Sequence, residues 1–294
     1  MNSIDPQHYN YLLFSSLAYQ NMNTDFSFSG YQVLNYPESK NDQSGFNATI
    51  FNNEANKEIV IAIRGTQVYD VHDIANDLAL LSEEVPSQLL DLMKVYEALR
   101  ADYLIHRIVF VGHSLGGALA QLGAATAITG KFTNSKTSDT NVSAITFNAP
   151  GVKQMAENLF YPGIDDRGQP VKKYVPFDLD KNYDFVNYRR KTDLVSKVND
   201  HLGEVVEISG SKPSISPLYI VPSLNQWVLG EHSIDGLVNE NIGKVLPQES
   251  IFDNTFTFEA AKNYFADYFS NSNPYTVILQ MGADLFSTKP VAGD

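Results

Sequence analysis

Apolar residues follow two spacings along the chain, one typical of helices and one typical of buried strands. Residues 9–17 place apolar side chains on one face and predict a first helix. Short strands and turns are expected over residues 30–50. Uninterrupted apolar runs then predict strands buried on both faces of a parallel sheet, at residues 58–64, 108–111, 142–147 and 185–189.

Helices are predicted between these strands. Residues 87–104 carry an amphipathic stripe of helical spacing. A second helix, rich in small residues, is expected from Leu115 to Thr129, where Gly130 stops it. Strands and helices therefore alternate, which indicates βαβ units with right-handed crossovers. The predicted class is an α/β fold with a mainly parallel sheet flanked by helices.

The rest of the chain predicts insertions and an extension. Residues 161–184 and 209–230 are rich in Pro, Gly or Asp and are expected to form irregular surface insertions rather than linkers. The chain from residue 251 carries two apolar clusters, which fit either two docked helices or an attachment for lipid or a protein partner. We therefore expect one domain over residues 1–245 and a helical extension over residues 246–294.

Charge and residue counts exclude several classes of function. The formal net charge of −13 argues against a nucleic acid partner and gives no attraction to anionic lipid. The chain has no cysteine, which excludes disulfides and zinc–thiolate sites. The first residues lack the basic and apolar pattern of a Sec-type leader, so none is expected, and no apolar run is long enough to predict a transmembrane helix. We expect a protein made in the cytoplasm, with any export by a dedicated secretion system.

The segment that indicates chemistry is the G-x-S-x-G pattern of Gly112, Ser114 and Gly116. An apolar strand precedes it and a helix of small residues follows it, as a nucleophilic serine on a sharp turn requires. The glycines lack a Cβ, so the strand and the helix approach closely around that turn. The N–H groups at the start of the helix then face a developing negative charge. Ser114 is the predicted nucleophile.

These residues resemble a known family. The segment GHSLGGALA around Ser114 resembles the nucleophile turn of the class 3 lipases, the fungal triacylglycerol lipase-like group of α/β-hydrolases. Residues 61–66, 146–151 and 189–195 are similar to three further segments of that family, and the resemblance extends over roughly residues 8–235. It implies an α/β-hydrolase fold and a serine esterase that acts on lipid acyl esters without a cofactor.

A serine hydroxyl needs a histidine to take its proton and a carboxylate to orient that histidine. In α/β-hydrolases the chain order is Ser, acid, His, so two of the six histidines remain, His201 and His232. His232 is favoured because it lies 39 residues after Asp193 (232 − 193), with room for intervening strands. His201 follows Asp193 after only eight residues (201 − 193) and is the alternative.

Asp193 is the predicted acid, because it follows an apolar segment and resembles the family's acidic position. The alternatives are Asp178, Asp180 and Asp184, since the spacing of 79 residues from Ser114 (193 − 114) is long for the family. Residues 178–184 also mimic the start of a calcium loop, but they lack its sixth-position glycine, and Arg189 stands in place of its twelfth-position glutamate. A polar loop is therefore expected there, with no metal.

Two backbone donors are predicted for the oxyanion that forms when the serine attacks. One is the N–H of Leu115, directly after the nucleophile, and the other is the N–H of Thr66, after the strand at 58–64. Residues 67–86 follow Thr66 and fit either a mobile lid or a fixed surface helix.

Together these features predict hydrolysis of lipid acyl esters by a Ser-His-Asp triad through an acyl-enzyme, as a phospholipase A1 or a triacylglycerol lipase. The expected partners are the lipid substrate, a membrane surface as substrate only, and a possible protein bound by the extension. The alternative is a non-catalytic binding module that retains the fold. The intact order of Ser114, Asp193 and His232 argues against that alternative.

Overall fold

The computed structural model describes most of the chain before residue 210 and a few positions after it. The described residues are 2–20, 22–65, 87–130, 139–158, 160–174, 183–193, 195–209, 232–234, 237, 238 and 241. The helices among them are α1 (Tyr9–Leu17), α2 (Ser87–Asp102), α3 (Leu115–Thr129) and α4 (Lys153–Asn158). The strands are β1 (Ser27–Phe28), β2 (Tyr31–Leu34), β3 (Lys40–Asn41), β4 (Phe46–Asn53), β5 (Glu58–Ile63), β6 (Arg107–His113), β7 (Val142–Phe147), β8 (Phe160–Ile164), β9 (Pro170–Tyr174), β10 (Phe185–Arg190) and β11 (Glu204–Ile208).

One mixed sheet organises the fold. Its strand order is β1-β2-β4-β5-β6-β7-β10-β11, with β3 paired to β4. The pairings along β5-β6-β7-β10-β11 are parallel, whereas those along β1-β2-β4-β5 are antiparallel. Helix α3 connects β6 to β7, and α2 lies between β5 and β6 in the chain. This arrangement confirms the predicted α/β class.

Alternating side chains of the central strands enter two cores, one on each face of the sheet. Ile59 and Ile61 of β5 belong to the core that contains α2 and α3, whereas Val60 and Ala62 belong to the core that contains α1. All four side chains are fully buried. Because both faces of the strand are covered, its sequence is a continuous apolar run.

The described residues of segment 232–241 pack on the α1 face of the sheet. Ile234, Leu237 and Val238 are buried in the same core as Leu12 and Phe14 of α1. Burial of an aliphatic side chain of this size stabilises the fold by about 1.5–3 kcal/mol. The packing therefore anchors the segment that begins with His232.

Most predicted elements are observed, but the insertion at 161–184 differs from its prediction. It contains the antiparallel hairpin of β8 and β9, so the prediction of an irregular stretch is wrong there. Gly168 has a φ of 75°, and the Asp165 carboxylate accepts a hydrogen bond from the Arg167 N–H in the turn. A proline in each strand argues against strands in the sequence, but each strand of a two-stranded hairpin is an edge strand, where proline is tolerated.

Other predicted features lie outside the described residues. These are residues 175–182 of the first insertion, the insertion at 209–230 apart from Ser209, and the extension over 246–294. The division of the chain at residue 245 therefore stays a prediction. Among the helices of the described ranges, none combines the length and apolar composition needed to cross a membrane.

Candidate active site

Ser114 occupies a strained turn between a strand and a helix. β6 ends at His113 and α3 begins at Leu115, and Ser114 between them has φ 55° and ψ −131°. A positive φ is uncommon for a residue with a side chain, and it costs on the order of 1–3 kcal/mol that the surroundings must offset. Such strain is typical of a nucleophile whose hydroxyl must stand clear of both elements.

The structure brings Ser114 together with His232 and Asp193. The Ser114 Oγ lies 2.7 Å from His232 Nε2 and donates a hydrogen bond to it. On the other side of the ring, His232 Nδ1 lies 3.2 Å from Asp193 Oδ2. Both distances fit hydrogen bonds, so the imidazole connects the hydroxyl to the carboxylate. Residues that are far apart in the chain thus form one row at the carboxyl ends of parallel strands.

The carboxylate of Asp193 is fully buried and well supplied with donors. Its Oδ1 accepts a hydrogen bond from the Val195 N–H at 3.1 Å, and its Oδ2 accepts one from the Ser196 N–H at 3.2 Å. Burial by itself raises the pKa of this carboxyl, but the neighbouring His232 and the hydrogen bonds lower it more, so the pKa lies below its usual value. Asp193 is therefore ionised at neutral pH.

The alternative candidates do not join this row. His201 Nε2 lies 3.1 Å from the Ser196 carbonyl, and burial lowers the pKa of this histidine. Asp184 has an exposed side chain near Arg107, where β10 begins, at the end of the sheet opposite Ser114. Asp178 and Asp180 lie outside the described residues.

A comparison with protein-family models matches residues 24–209 to a phospholipase-like family described as the Tle-like phospholipase domain. The matched stretch is more than half of the 294 residues. The chain belongs to the Tle-like phospholipase domain family. The match contains Ser114 and Asp193 but ends before His232, so the place of the histidine rests on the geometry described above.

Solved lipase structures resemble this Tle-like phospholipase domain at low sequence identity. Lip2 lipase from Yarrowia lipolytica is 14% identical, with a TM-score of 0.48 over 77% of this chain and 91% of that chain. A lipase from Rhizopus microsporus var. chinensis is 16% identical, with a TM-score of 0.48 over 72% and 77%. A triacylglycerol lipase from Penicillium expansum is 17% identical, with a TM-score of 0.42 over 71% and 83%. A comparison with curated protein sequences gave no match.

The lipase-like family assignment agrees with the resemblance seen in the sequence, and the fold class is the predicted α/β-hydrolase type. Membership of this family makes the protein a lipase-like hydrolase of lipid esters.

Of the two predicted oxyanion donors, Leu115 lies among the residues that the structure describes and Thr66 does not. Leu115 is the first residue of α3, so its N–H has no partner within the helix and lies directly after Ser114. Thr66 lies outside the described residues, and its role stays a prediction. Its neighbour Gly65 packs against the turn, since a Cβ there would lie 2.7 Å from the His113 carbonyl oxygen. Residues 67–86, for which a lid or a fixed helix was predicted, also lie outside the described residues.

We expect Gly116→Ala to destabilise the protein by about 1–3 kcal/mol, because the added carbon has no room. It would lie 2.2 Å from the Ile63 carbonyl oxygen, and this backbone moves only if β5 shifts. Gly123→Ala on the same helix is the matched control. Its added carbon would lie 2.6 Å from the end of the Leu92 side chain, which has rotatable bonds. Urea denaturation of both variants measures the difference, and equal midpoints would contradict the packing argument.

Three side chains near His232 were missed as site residues by the sequence analysis. His113 Nε2 lies 2.5 Å from the His232 carbonyl oxygen, and its Nδ1 lies 2.9 Å from the Tyr19 hydroxyl. Asn148 Nδ2 lies 3.2 Å from the same carbonyl oxygen. The alternation of side chains along β6 places His113 on the α1 face, which is a usable signal. No sequence signal indicates that residue 232 lies there as well.

The described residues contain no group of three or more His, Asp or Glu side chains arranged to hold a metal ion. The calcium-like stretch at 178–184 is described only from Tyr183 onward. The expectation that catalysis needs no cofactor stays a prediction.

Proposed function

We propose that this protein hydrolyses acyl esters of glycerophospholipids with Ser114 as nucleophile, His232 as base and Asp193 as the residue that orients the base. The observation that carries the proposal is the contact of 2.7 Å between Ser114 Oγ and His232 Nε2. This distance lies within the range that proton transfer requires. The buried carboxylate on the opposite ring nitrogen fixes the tautomer that leaves Nε2 free to accept.

The proposed reaction has two halves that use the same three side chains. His232 Nε2 takes the proton of Ser114 while Oγ attacks the ester carbonyl carbon, and the Leu115 N–H stabilises the oxyanion. The tetrahedral intermediate collapses as the protonated His232 gives its proton to the departing lysophospholipid alcohol. Water then attacks the acyl-enzyme with His232 as base, releases the fatty acid and restores the Ser114 hydroxyl. Asp193 stabilises the imidazolium in both halves.

The choice of phospholipid is supported by the family to which the chain belongs. Lipid-ester hydrolysis in general follows from the family, and the preference for a phospholipid over triacylglycerol is our proposal. The net charge of −13 makes an anionic lipid surface unfavourable, so zwitterionic headgroups are the expected surface. Export by a dedicated secretion system and a protein partner bound by residues 246–294 are further proposals, which rest on the sequence.

We expect fatty acid release from vesicles of phosphatidylcholine and phosphatidylethanolamine to be at least about tenfold faster than from triolein emulsions. This factor corresponds to about 1.4 kcal/mol of difference in transition-state binding. Phosphatidylethanolamine with two different acyl chains identifies the position that is cleaved, because mass spectrometry distinguishes the two fatty acids. Ser114→Ala serves as the blank for both lipids.

Faster release from triolein would replace the phospholipase proposal with a triacylglycerol lipase. If wild type releases no fatty acid above the uncatalysed rate from any ester, the non-catalytic binding module is favoured instead. The row of Ser114, His232 and Asp193 has no evident use in such a module, and it is the observation against that alternative.

A further inference from the structure

The main-chain carbonyl of His232 receives two side-chain donors. His113 Nε2 lies 2.5 Å from this oxygen, and Asn148 Nδ2 lies 3.2 Å from it. His113 and His232 are both buried, and their ring centroids are 4.8 Å apart with a tilt of 39° between the planes. The residue proposed as base is thus held through its backbone by groups that do not touch Ser114 Oγ.

The fold explains why His113 lies at this oxygen. Val109 and Val111 of β6 enter the core on the α1 face, and the alternation of a strand directs His113 to the same face. Tyr19, which follows α1, packs on that core, and its hydroxyl lies 2.9 Å from His113 Nδ1. The strand that ends at the nucleophile therefore also contacts the base, through the residue immediately before Ser114.

The hydrogen-bond partners of His113 and Asn148 determine which of their side-chain atoms carry hydrogen. A carbonyl oxygen only accepts, so the His113 nitrogen that faces it, Nε2, carries the hydrogen. In the neutral ring Nδ1 is then an acceptor, and the Tyr19 hydroxyl donates to it. The partners of Asn148 likewise fix the orientation of its amide. Its Oδ1 accepts the Arg190 N–H at 2.9 Å, so its Nδ2 donates to the His232 carbonyl.

The surroundings keep the His113 ring neutral. Burial, and after it the positive charge of a protonated His232 nearby, lower the pKa of His113 to about 3. The hydrogen bond to the His232 carbonyl and the charge of Asp193 act in the opposite direction, and Arg190 acts with the burial. A neutral ring with one hydrogen has one donor, and the geometry directs that donor to His232.

Asn148 connects this contact to the segment that carries the acid. It follows β7, has a φ of 46°, and its own N–H donates to the Tyr188 carbonyl of β10 at 2.8 Å. The Arg190 carbonyl in turn accepts the Asp193 N–H at 3.1 Å. The two donors on the His232 carbonyl thus come from the carboxyl ends of β6 and β7, and β7 pairs with β10, the strand that leads to Asp193.

We propose that His113 is a positioning residue, which in its neutral Nε2–H form holds the His232 main chain so that the imidazole reaches both Ser114 and Asp193. The inference rests on the proposed function of His232 as the base. Asn148 acts as the second donor to the same oxygen. Loss of the His113 donor would leave His232 anchored by Asn148 and by the packing of the segment after it, with the ring less well placed.

Two variants of His113 distinguish the effect of losing its hydrogen-bond donor from the effect of losing the volume of its ring. In glutamine the amide nitrogen is three bonds from Cβ, as Nε2 is in histidine, so His113→Gln keeps a donor near the His232 carbonyl. His113→Leu fills the site without a donor. Labelling of Ser114 by a fluorophosphonate measures the result, because the P–O bond forms and fluoride leaves as His232 takes the serine proton. This reaction does not depend on the natural substrate.

We expect His113→Leu to slow labelling and lower kcat for p-nitrophenyl butyrate by roughly 10- to 100-fold, with KM unchanged, since only the reacting geometry is lost. His113→Gln should recover most of both rates. Near-UV circular dichroism checks that each variant is folded. The positioning role is wrong if folded His113→Leu is labelled as fast as wild type, or if His113→Leu and His113→Gln lose the same fraction of the labelling rate. It is also wrong if the substitution raises KM and leaves kcat unchanged.

The Ser114→Ala variant shows whether a negative result concerns the role of His113 or the proposed function on which that role rests. If Ser114→Ala is inert and His113→Leu is as fast as wild type, the triad proposal stands and the positioning role fails. If Ser114→Ala keeps full esterase activity, the proposed function itself fails, whatever the His113 variants show.

The ring nitrogens of His113 give a second measurement that needs no activity and no leucine variant. Nitrogen-15 spectra of the folded wild-type protein should show a neutral Nε2–H tautomer from pH 8 to pH 5, with a signal that is absent in His113→Gln. This range follows from the low pKa of the buried ring. An Nδ1–H tautomer or a cationic ring at pH 7 would overturn the proposal, because neither fits a donor–acceptor chain from Tyr19 to the His232 carbonyl.

Discussion

Ser114→Ala is expected to lower kcat for ester hydrolysis by about 10⁴- to 10⁶-fold while the protein stays folded. The alanine keeps the backbone and Cβ of the turn, so the strained φ of 55° at this position is unchanged. What is lost is the oxygen that lies 2.7 Å from His232 Nε2. Initial rates with a short-chain p-nitrophenyl ester and with phospholipid vesicles measure the effect.

Ser143→Ala is the matched control for this substitution. Ser143 is also buried on a strand beside β6, but its hydroxyl accepts a hydrogen bond from Arg107 at the opposite end of the sheet, so activity should be retained. His232→Ala should match Ser114→Ala, whereas His201→Ala should keep kcat. The assignment of the base would be contradicted by an active His232→Ala beside an inactive His201→Ala.

Asp193→Asn is expected to lower kcat by about 10⁴-fold with a smaller effect on KM. The carboxylate offers acceptors to three donors, which are His232 Nδ1 and the N–H groups of Val195 and Ser196. An asparagine has one acceptor oxygen and one NH₂ group in the same space. If the NH₂ group faces Nδ1, the imidazole turns to the tautomer with its hydrogen on Nε2, which cannot take the serine proton.

Asp184→Asn is the control for the loss of a carboxylate. Its side chain is exposed near Arg107, far from Ser114 in the fold, and kcat should not change. Rates and circular dichroism are measured together, since Asp193→Asn also loses stability when a buried N–H faces the new NH₂ group. A folded Asp193→Asn that turns over at the wild-type rate would remove Asp193 from the mechanism.

Local patterns in the sequence were sufficient to predict the central fold. The continuous apolar runs predicted β5, β6, β7 and β10, because strands covered on both faces have no polar side to maintain. The helix from Leu115 to Thr129 was predicted with its observed bounds. Gly130 ends it with a φ of 65°, a conformation that glycine adopts without strain.

The candidate triad was predictable for a different reason. The G-x-S-x-G pattern predicts Ser114 as the nucleophile from local sequence alone, and the order of residues along the chain then leaves few choices for the acid and the base. The structure brings together the favoured residues, Asp193 and His232. Their catalytic roles, like that of Thr66, remain predictions until variants are assayed.

The contacts around the His232 backbone were beyond the sequence analysis. His113 and Tyr19 lie far apart in the chain, and they meet at His232 only because α1 and the described residues of segment 232–241 pack on one face of the sheet. Alternation along β6 gives the face of His113 but not its partner. The β8–β9 hairpin was missed because Pro and Gly signal breaks locally, while pairing between edge strands tolerates them.

The central claim is that Ser114 is activated by His232, and the most direct test is site mapping of a fluorophosphonate adduct. Wild-type protein is treated with the probe at neutral pH, digested and analysed by mass spectrometry. We expect one adduct, on the Ser114 hydroxyl, with labelling abolished in Ser114→Ala and strongly slowed in His232→Ala. An adduct on a different residue, or ester hydrolysis by a protein whose Ser114 stays unmodified, would contradict the claim.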